Sequence, residues 1–217
     1  SVKVWREADG SFAEAQSLGG HSGSVYALAW DSGSRTLFSG SDDNSVKVWR
    51  EADGSFAEAQ SLGGHSDYVR ALAWDSGSRT LFSGSRDETV KVWREADGSF
   101  VEAQSLGGHS SYVLALAWDS GSRTLFSGSG DESVKVWREA DGSFAEAQSL
   151  GGHSGSVYAL AWDSGSRTLF SGSDDNSVKV WRDLTLRMAC SRVSPKPWVA
   201  PRRARSACGI GVESAWR

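Results

Sequence analysis

A repeat of 44 residues is the feature that most constrains what this chain can fold into. The letters SVKVW, or TVKVW in one copy, begin at Ser1, Ser45, Thr89, Ser133 and Ser177. Only seven of the 44 columns vary, and residues 21–50 are identical to residues 153–182. Repeats of this length are structural units that bury their apolar faces against their neighbours. The sequence therefore predicts a row of stacked copies.

Each copy contains four short segments with strand character. In the first complete copy, runs rich in β-forming residues cover residues 24–31 and 35–41, and residues 45–51 alternate. The fourth segment, residues 55–62, follows an Asp-Gly turn that favours a hairpin. A helix is the alternative there because Ala, Glu and Gln favour it. Eight residues between glycine-bearing turns are too few for a stable isolated helix. We therefore predict four strands per copy.

Histidine and tryptophan recur at a fixed spacing. A Gly-His pair precedes the first predicted strand, and 27 residues separate each His from a Trp in the third. The pairs are His21/Trp49, His65/Trp93, His109/Trp137 and His153/Trp181. This pattern, over residues 1–182, resembles the WD-repeat family of β-propellers. The resemblance implies an all-β fold, a WD-type β-propeller of four-stranded antiparallel blades, with about four blades in this chain.

One position departs from the family pattern in every copy. Arg, rather than Asp, follows each Trp, as Arg50 follows Trp49. The family tolerates this change, but it removes the Trp-Asp-x-Arg pattern found in WD-repeat receptors of ubiquitin ligases. We therefore do not expect that role.

Each copy also contains a Ser, a His and an Asp, which are Ser39, His21 and Asp43 in the first complete copy. A hydrolase triad is one interpretation, but a nucleophile needs a single exposed site, whereas this set recurs in every blade beside a Trp. The resemblance implies a buried hydrogen-bond chain from Trp to Ser to His to Asp. That order is chemically consistent because Trp only donates and ionised Asp only accepts. We expect no catalytic residue and no enzyme.

Charge divides the chain at residue 182. Residues 1–182 hold 25 acidic and 16 basic residues, whereas residues 183–217 hold 2 acidic and 7 basic ones. Because the repeat region is acidic, we expect it not to bind nucleic acid. The tail contains PRRAR at 201–205, which a nuclear-localisation or nucleic-acid-binding segment would also show. We expect residues 183–217 to be a disordered or non-native extension, for example a repeat read out of frame.

Several other classes of site are disfavoured. The acidic turn SDDNS lacks the ligand spacing and terminal Glu of a calcium loop, so we expect no metal and no cofactor. No apolar run reaches 18 residues, so no membrane partner is expected. Without a readable signal peptide or disulfide framework, we expect an intracellular, cytoplasmic protein.

The two ends of the repeat array do not match. The last copy, at 157–182, lacks a fourth strand, and the N-terminus carries a spare one at 11–18. Four blades in one ring would need about 90° between neighbours, a wedge that small inner residues such as Ala27 and Ala29 fill poorly. We therefore expect a homodimer that closes an eight-bladed ring, with residues 11–18 of each chain completing the last blade of the other. A segment of a longer single-chain propeller is the alternative.

Most of the varying columns lie in the loop before the first strand and in the turn between the second and third. The resemblance implies that these segments share one rim and that partners bind there, whereas the invariant DSGS and EADGS loops lie on the other face. Relaxed drift in exposed loops is the alternative. We predict a partner-binding face made of Ser24, Tyr26, Asp42, Tyr68, Arg70, Arg86, Tyr112, Leu114, Tyr158 and Asp174.

The predicted function is that of a protein- or peptide-binding scaffold. Tyr and Arg are enriched at binding hot spots, and the face would suit a peptide with an acidic and an apolar anchor. One alternative is a non-catalytic fragment of a larger WD-repeat protein whose activity lies in another domain. A propeller enzyme is a less favoured alternative because no polar constellation occurs only once in the repeats.

Overall fold

The computed structural model describes residues 1–182, whose regular structure consists of seventeen β-strands. An N-terminal hairpin contains β1 (Val2–Ala8) and β2 (Ser11–Leu18). Sheet 1 contains β3 (Val25–Asp31), β4 (Thr36–Ser41), β5 (Val46–Ala52) and β6 (Ser55–Leu62). Sheet 2 contains β7 (Val69–Asp75), β8 (Thr80–Ser85), β9 (Val90–Ala96) and β10 (Ser99–Leu106). Sheet 3 contains β11 (Val113–Asp119), β12 (Thr124–Ser129), β13 (Val134–Ala140) and β14 (Ser143–Leu150). Sheet 4 contains β15 (Val157–Asp163), β16 (Thr168–Ser173) and β17 (Val178–Arg182).

Every sheet is an antiparallel meander in which consecutive strands pair. Within residues 1–182, sheets 1 to 3 have four strands, sheet 4 has three, and β1 pairs only with β2. The first strand of each sheet packs against the first strand of the next, from β3 through β7 and β11 to β15. The predicted all-β fold built of four-stranded antiparallel units is therefore confirmed, and residues 55–62 form a strand rather than a helix.

Turn chemistry explains where the strands end. In the β5–β6 turn, Asp53 and Gly54 adopt φ angles of 50° and 78°, the left-handed conformation that a tight Asp-Gly hairpin requires. The same pairing contains a bulge between Val48 and Trp49. A bulge increases the local strand twist, and here it lies directly beside the buried Trp49 indole.

The core lies between neighbouring sheets. Phe38, Val46 and Val48 of sheet 1 pack with Leu81 and Phe100 of sheet 2 in one buried cluster. The Phe38 and Phe100 rings meet edge to face, with centroids 5.3 Å apart. Equivalent residues form the contact between sheets 2 and 3. Each sheet therefore depends on the next one to cover its apolar face, as expected for a repeat array.

Polar side chains also join adjacent sheets at their outer strands. Arg50 donates to Glu95 Oε1 at 2.7 Å, and the Gln60 amide bonds both backbone groups of Phe100 at 2.8 Å. The hairpin makes the same contacts with sheet 1, where Arg6 donates to Glu51 at 2.6 Å. The hairpin thus occupies the position of the outer half of a preceding blade.

The two ends of the array remain incomplete within residues 1–182. The hairpin supplies only a third and a fourth strand, and sheet 4 has no fourth strand. In the part of the chain that the structure describes, no helix is long and apolar enough to cross a membrane. The predictions for residues 183–217 lie outside the described residues.

Candidate functional site

The repeated Ser, His and Asp form a chain of hydrogen bonds inside each sheet. In sheet 2, Trp93 Nε1 donates to Ser83 Oγ at 2.8 Å. Ser83 Oγ lies 2.8 Å from His65 Nε2, and His65 Nδ1 lies 2.7 Å from Asp87 Oδ2. The same chain occurs in sheets 1, 3 and 4. The structure therefore confirms the buried network implied by the family resemblance.

The protonation states of this network follow from its surroundings. Burial lowers the pKa of His109, which favours the neutral imidazole. Burial acts to raise the pKa of Asp131, but hydrogen bonds from Ser133 and His109 outweigh it and lower that pKa to about 2. A neutral His then donates from Nδ1 to Asp131 and accepts from Ser127 at Nε2, while Ser127 accepts from Trp137. The serine hydroxyl therefore donates one hydrogen bond and accepts another within the network.

The two varying segments lie side by side on one rim of the sheets. The backbone N–H of Asp42 donates to the carbonyl of Ser24 at 3.0 Å, and that of Arg86 donates to the carbonyl of Tyr68 at 2.9 Å. In sheet 4, the N–H of Asp174 makes the corresponding bond to Ser156 at 3.2 Å. The loop before the first strand and the turn before the third strand therefore present their side chains on the same face.

Tyrosine and arginine side chains from different sheets stack along this rim. The Arg70 guanidinium lies 4.1 Å from the ring centroid of Tyr26, which joins sheets 2 and 1. The Arg86 guanidinium lies 4.9 Å from the ring centroid of Tyr68 and 4.2 Å from that of Tyr112. The second of these contacts joins sheets 2 and 3. These five residues form what we call the rim ladder. Cation–π contacts of this kind contribute roughly 0.5–1 kcal/mol each at exposed sites.

The two arginines of the rim ladder differ from the arginines that join sheets. Arg50 and Arg94 each bond a glutamate of the next sheet at 2.6–2.7 Å. Within residues 1–182, neither Arg70 nor Arg86 forms an ion pair with a carboxylate within 4 Å. A hydrogen bond with Tyr112 raises the pKa of Arg86, so its guanidinium is charged at any physiological pH. The ladder therefore holds two cations in place, and the nearby Asp67 carboxylate also acts on Arg86.

Leu114 and Tyr158 belong to a second group of site residues at the inner strands. Together with Tyr26 they line a central cavity of about 340 Å³ between the first strands of sheets 1 to 4. Tyr26 and Tyr158 are 45% and 53% exposed, so both rings are accessible from this space. The cavity is wide open to solvent, is lined by Ala, Leu and Tyr residues, and joins the rim ladder at Tyr26.

Sequence reasoning missed a ring of leucines in the same cavity. Four lining leucines have the same position in the LAWD segment of each repeat, namely Leu28, Leu72, Leu116 and Leu160. These leucines are identical in every repeat, whereas the prediction of the binding face relied on repeat positions that vary. An alternating strand pattern could have identified them, because Leu28 points away from the side of β3 that carries Ala27 and Ala29.

The remaining predicted residues flank the ladder at the ends of the array. Ser24 and Tyr26 are exposed beside the half-buried Asp42 in sheet 1, and Tyr158 and Asp174 are exposed in sheet 4. No group of three or more His, Cys, Asp or Glu residues suited to a metal ion occurs in the described part of the chain.

Comparison with known families decides the assignment. The WD40 family (WD domain, G-beta repeat) matches residues 13–50, 57–94, 100–138 and 145–182. The chain belongs to the WD40 family. Among solved structures, it is similar to the computationally designed Ika4 protein, at 34% identity and a TM-score of 0.63. That match covers 76% of this chain and 95% of Ika4. No curated protein matches the chain.

Proposed function

We propose that this WD40 domain is a scaffold that binds a protein or peptide partner on its rim face. The rim ladder carries the proposal, because it gathers Tyr26, Tyr68, Arg70, Arg86 and Tyr112 from three sheets onto one surface. Tyr and Arg are residue types that dominate binding energy in protein interfaces. Among residues 1–182, no carboxylate forms an ion pair within 4 Å with Arg70 or Arg86, and Asp67 acts on Arg86 only as a nearby charge. Both guanidinium groups can therefore pair with a carboxylate from outside.

The chemistry of the face defines the partner class. A carboxylate would pair with Arg70 or Arg86, which the tyrosine rings hold in position. An apolar side chain would enter the adjacent cavity between Tyr26, Leu114 and Tyr158. The proposed ligand is therefore a peptide with one acidic and one apolar anchor, flanked by the acidic turns at Asp42 and Asp174.

A set of four substitutions tests this function. Tyr68→Ser, Arg70→Tyr and Arg86→Asp place residues of the first repeat in the second. Asp67→Gly accompanies them, because the Asp of the first repeat, Asp42, packs against Gly23 with no room for a Cβ. The probe is an array of immobilised peptides, each with one Glu and one Leu or Trp at varied spacing. We expect the native protein to select Glu–Leu or Glu–Trp peptides and the variant to bind them at least about tenfold more weakly.

Two controls accompany this test. Glu88→Asn with Thr89→Ser changes the same turn to first-repeat residues but leaves the rim ladder intact. Peptides with Gln for Glu, or Ala for the apolar anchor, report each contact separately. Equal binding by the native protein and the quadruple variant would show that the rim face is not the binding site.

We further propose that residues 1–182 are not catalytic and that the protein is intracellular, in the cytoplasm. The serine of the repeated Ser/His/Asp set, 0–1% exposed, already accepts from a Trp in each sheet, which supports a structural role. The homodimer that closes an eight-bladed ring also remains a proposal. A ring of two copies would continue the rim face around a closed circle.

A further inference from the structure

Identical residues have different burial at the two ends of the array. Residues 153–182 repeat residues 21–50 letter for letter. Phe38, Val46 and Val48 of sheet 1 are 0–1% exposed, because sheet 2 covers them. Their counterparts in sheet 4, Phe170, Val178 and Val180, are 37%, 70% and 52% exposed. The exposed apolar face of sheet 4 therefore results from a missing neighbour and not from a different sequence.

A glycine on the second strand shows the same missing neighbour. A Cβ added to Gly40 would lie 2.6 Å from Val69 Cγ1, and one added to Gly84 would lie 2.6 Å from Val113 Cγ1. These glycines allow the next sheet to approach closely. At Gly172, in sheet 4, the nearest atom is Ala159 Cβ at 3.6 Å. Sheet 4 therefore has the same close-approach surface, but no other sheet within residues 1–182 contacts it.

The N-terminal end presents the complementary surface. Phe12 of β2 is 69% exposed, whereas its counterpart Phe144 is 4% exposed. Phe144 packs against Phe82 and Trp118, with ring centroids 5.3 and 5.9 Å apart. A phenylalanine on a fourth strand of sheet 4 would pack in the same way against Phe126 and Trp162, whose ring centroids lie 4.9 Å apart. Phe12 has the size and strand position to complete that cluster.

We infer that a second copy of this chain covers both open ends, and that β2 alone crosses to complete sheet 4 of the other copy. This inference rests on the proposed two-copy ring and specifies its interface. Eight blades lie within the range of known propellers, whereas three copies would give about twelve. Each copy covers the other at two identical junctions, so the assembly is closed and symmetric.

The charged side chains at the two open ends of the array are also complementary. Asp31 is 3% exposed and pairs with Arg79 at 2.9 Å, but the equivalent Asp163 is exposed. Arg35 of a second copy would meet Asp163 in the same way. Among the described residues Lys179 has no carboxylate partner, whereas Lys135 bonds Glu146 at 2.7 Å. Glu14 of the second copy would pair with it.

In a completed sheet 4, a single strand occupies the third position, between β16 and the incoming β2. The two candidates, β17 and β1 of the second copy, have the same letters VKVWR. Strand β17 is tied to its sheet by its ladder with β16 and by Trp181, which donates to Ser171 at 2.8 Å. Trp5 of β1 is 56% exposed and bonds no serine within residues 1–182. We therefore assign the position to β17, so β1 is the strand that leaves.

In this arrangement β1 packs against sheet 1 only in the single chain and is displaced when the ring forms. Within one chain it pairs with β2 and places Val2 against Trp49 of sheet 1, together with Leu18. In the ring, Val178 of the second copy takes the place of Val2, and β17 takes over the pairing with β2. Val178–Arg182 replaces residues 2–6 with the same letters, whereas the pairs of Glu7 and Ala8 with β2 have no counterpart among the described residues. The exchange adds the burial of Phe12, Phe170 and Trp30, which is 43% exposed.

Native mass measurement of full-length variants at micromolar concentration tests the exchange. Deletion of residues 1–9 should leave a two-chain species, because β1 is not part of the ring. Val178→Asp and Phe12→Asp should give single chains, with the dimer dissociation constant raised at least about 100-fold, because each buries an unpaired carboxylate. Both side chains are exposed within one chain, so their substitution should leave its fold intact.

Val101→Asp is the matched control, because Val101 is 53% exposed on an outer strand away from the junction and should remain dimeric. Gly172→Ala should weaken the dimer while leaving the single-chain fold unchanged. A monomeric native chain would overturn both the ring and the exchange. A dimeric native chain that becomes monomeric on deletion of residues 1–9 would leave the ring in place and refute the assignment of β17.

Discussion

At the scale of single residues, the buried polar chain joins parts of each sheet that are distant in sequence. His65 connects the loop before β7 to Ser83 on β8 and to Asp87 in the following turn. Removing its imidazole leaves the Ser83 hydroxyl and the Asp87 carboxylate without this partner. A buried group that loses its partner costs about 1–3 kcal/mol.

His65→Ala should therefore lower the free energy of unfolding by about 1–3 kcal/mol. Denaturant unfolding followed by tryptophan fluorescence measures the change, and Ser66→Ala is the control because Ser66 is exposed and contributes only its backbone N–H to Asp87. Peptide binding by the folded variant should be unchanged. Equal unfolding midpoints for His65→Ala and the native chain would contradict a stabilising network.

The sequence could predict this network but not the stacking within the rim ladder. The Trp, Ser, His and Asp of the network recur at fixed spacings in each repeat, and their donor and acceptor capacities permit one order. The Arg86 contact with Tyr112 depends on the distance between two sheets, which no spacing within a repeat encodes. The structure also shows that a Cβ at Gly23 would collide with the Asp42 carboxylate, so one varying column is constrained by packing with another.

At the scale of elements, the approach of neighbouring sheets depends on one glycine per repeat. An added Cβ at Gly84 would lie 2.6 Å from Val113 Cγ1, closer than real Cβ contacts allow. Because this valine is 0% exposed in a packed core, it cannot move away freely. The second strand must then shift relative to the next sheet.

Gly84→Ala should therefore destabilise the protein by about 1–3 kcal/mol through overpacking. Thermal and denaturant unfolding measure the effect. Gly63→Ala is the matched control because no atom lies within 4 Å of its added Cβ, and its stability should stay close to that of the native chain. An equal response of the two variants would show that sheet contact does not require the glycine.

Strand positions were predictable because turn residues interrupt a repeated β pattern. The predicted runs at 24–31 and 35–41 begin one residue before β3 and β4, and 55–62 coincides with β6. What the repeat pattern could not reveal is which copy of an identical strand is covered. Phe38 and Phe170 have the same local sequence, yet among residues 1–182 a following sheet covers only Phe38.

At the scale of the whole molecule, residues 1–182 form an array with two complementary open ends. One end offers the exposed Phe170 and Val178, and the other offers the exposed Trp30 and Phe12. Exposed apolar surface of this kind is typical of an interaction site. A closed ring covers both ends with the same contacts that already join sheets 1 and 2.

The mass of the full-length native chain in solution tests this account most directly. Native mass spectrometry, with sedimentation velocity over a dilution series, distinguishes a single chain from a closed pair. We predict a species of twice the 23.2 kDa chain mass at micromolar concentration, with no series of larger assemblies. A predominant species of 23.2 kDa, or an open series of higher oligomers, would contradict it.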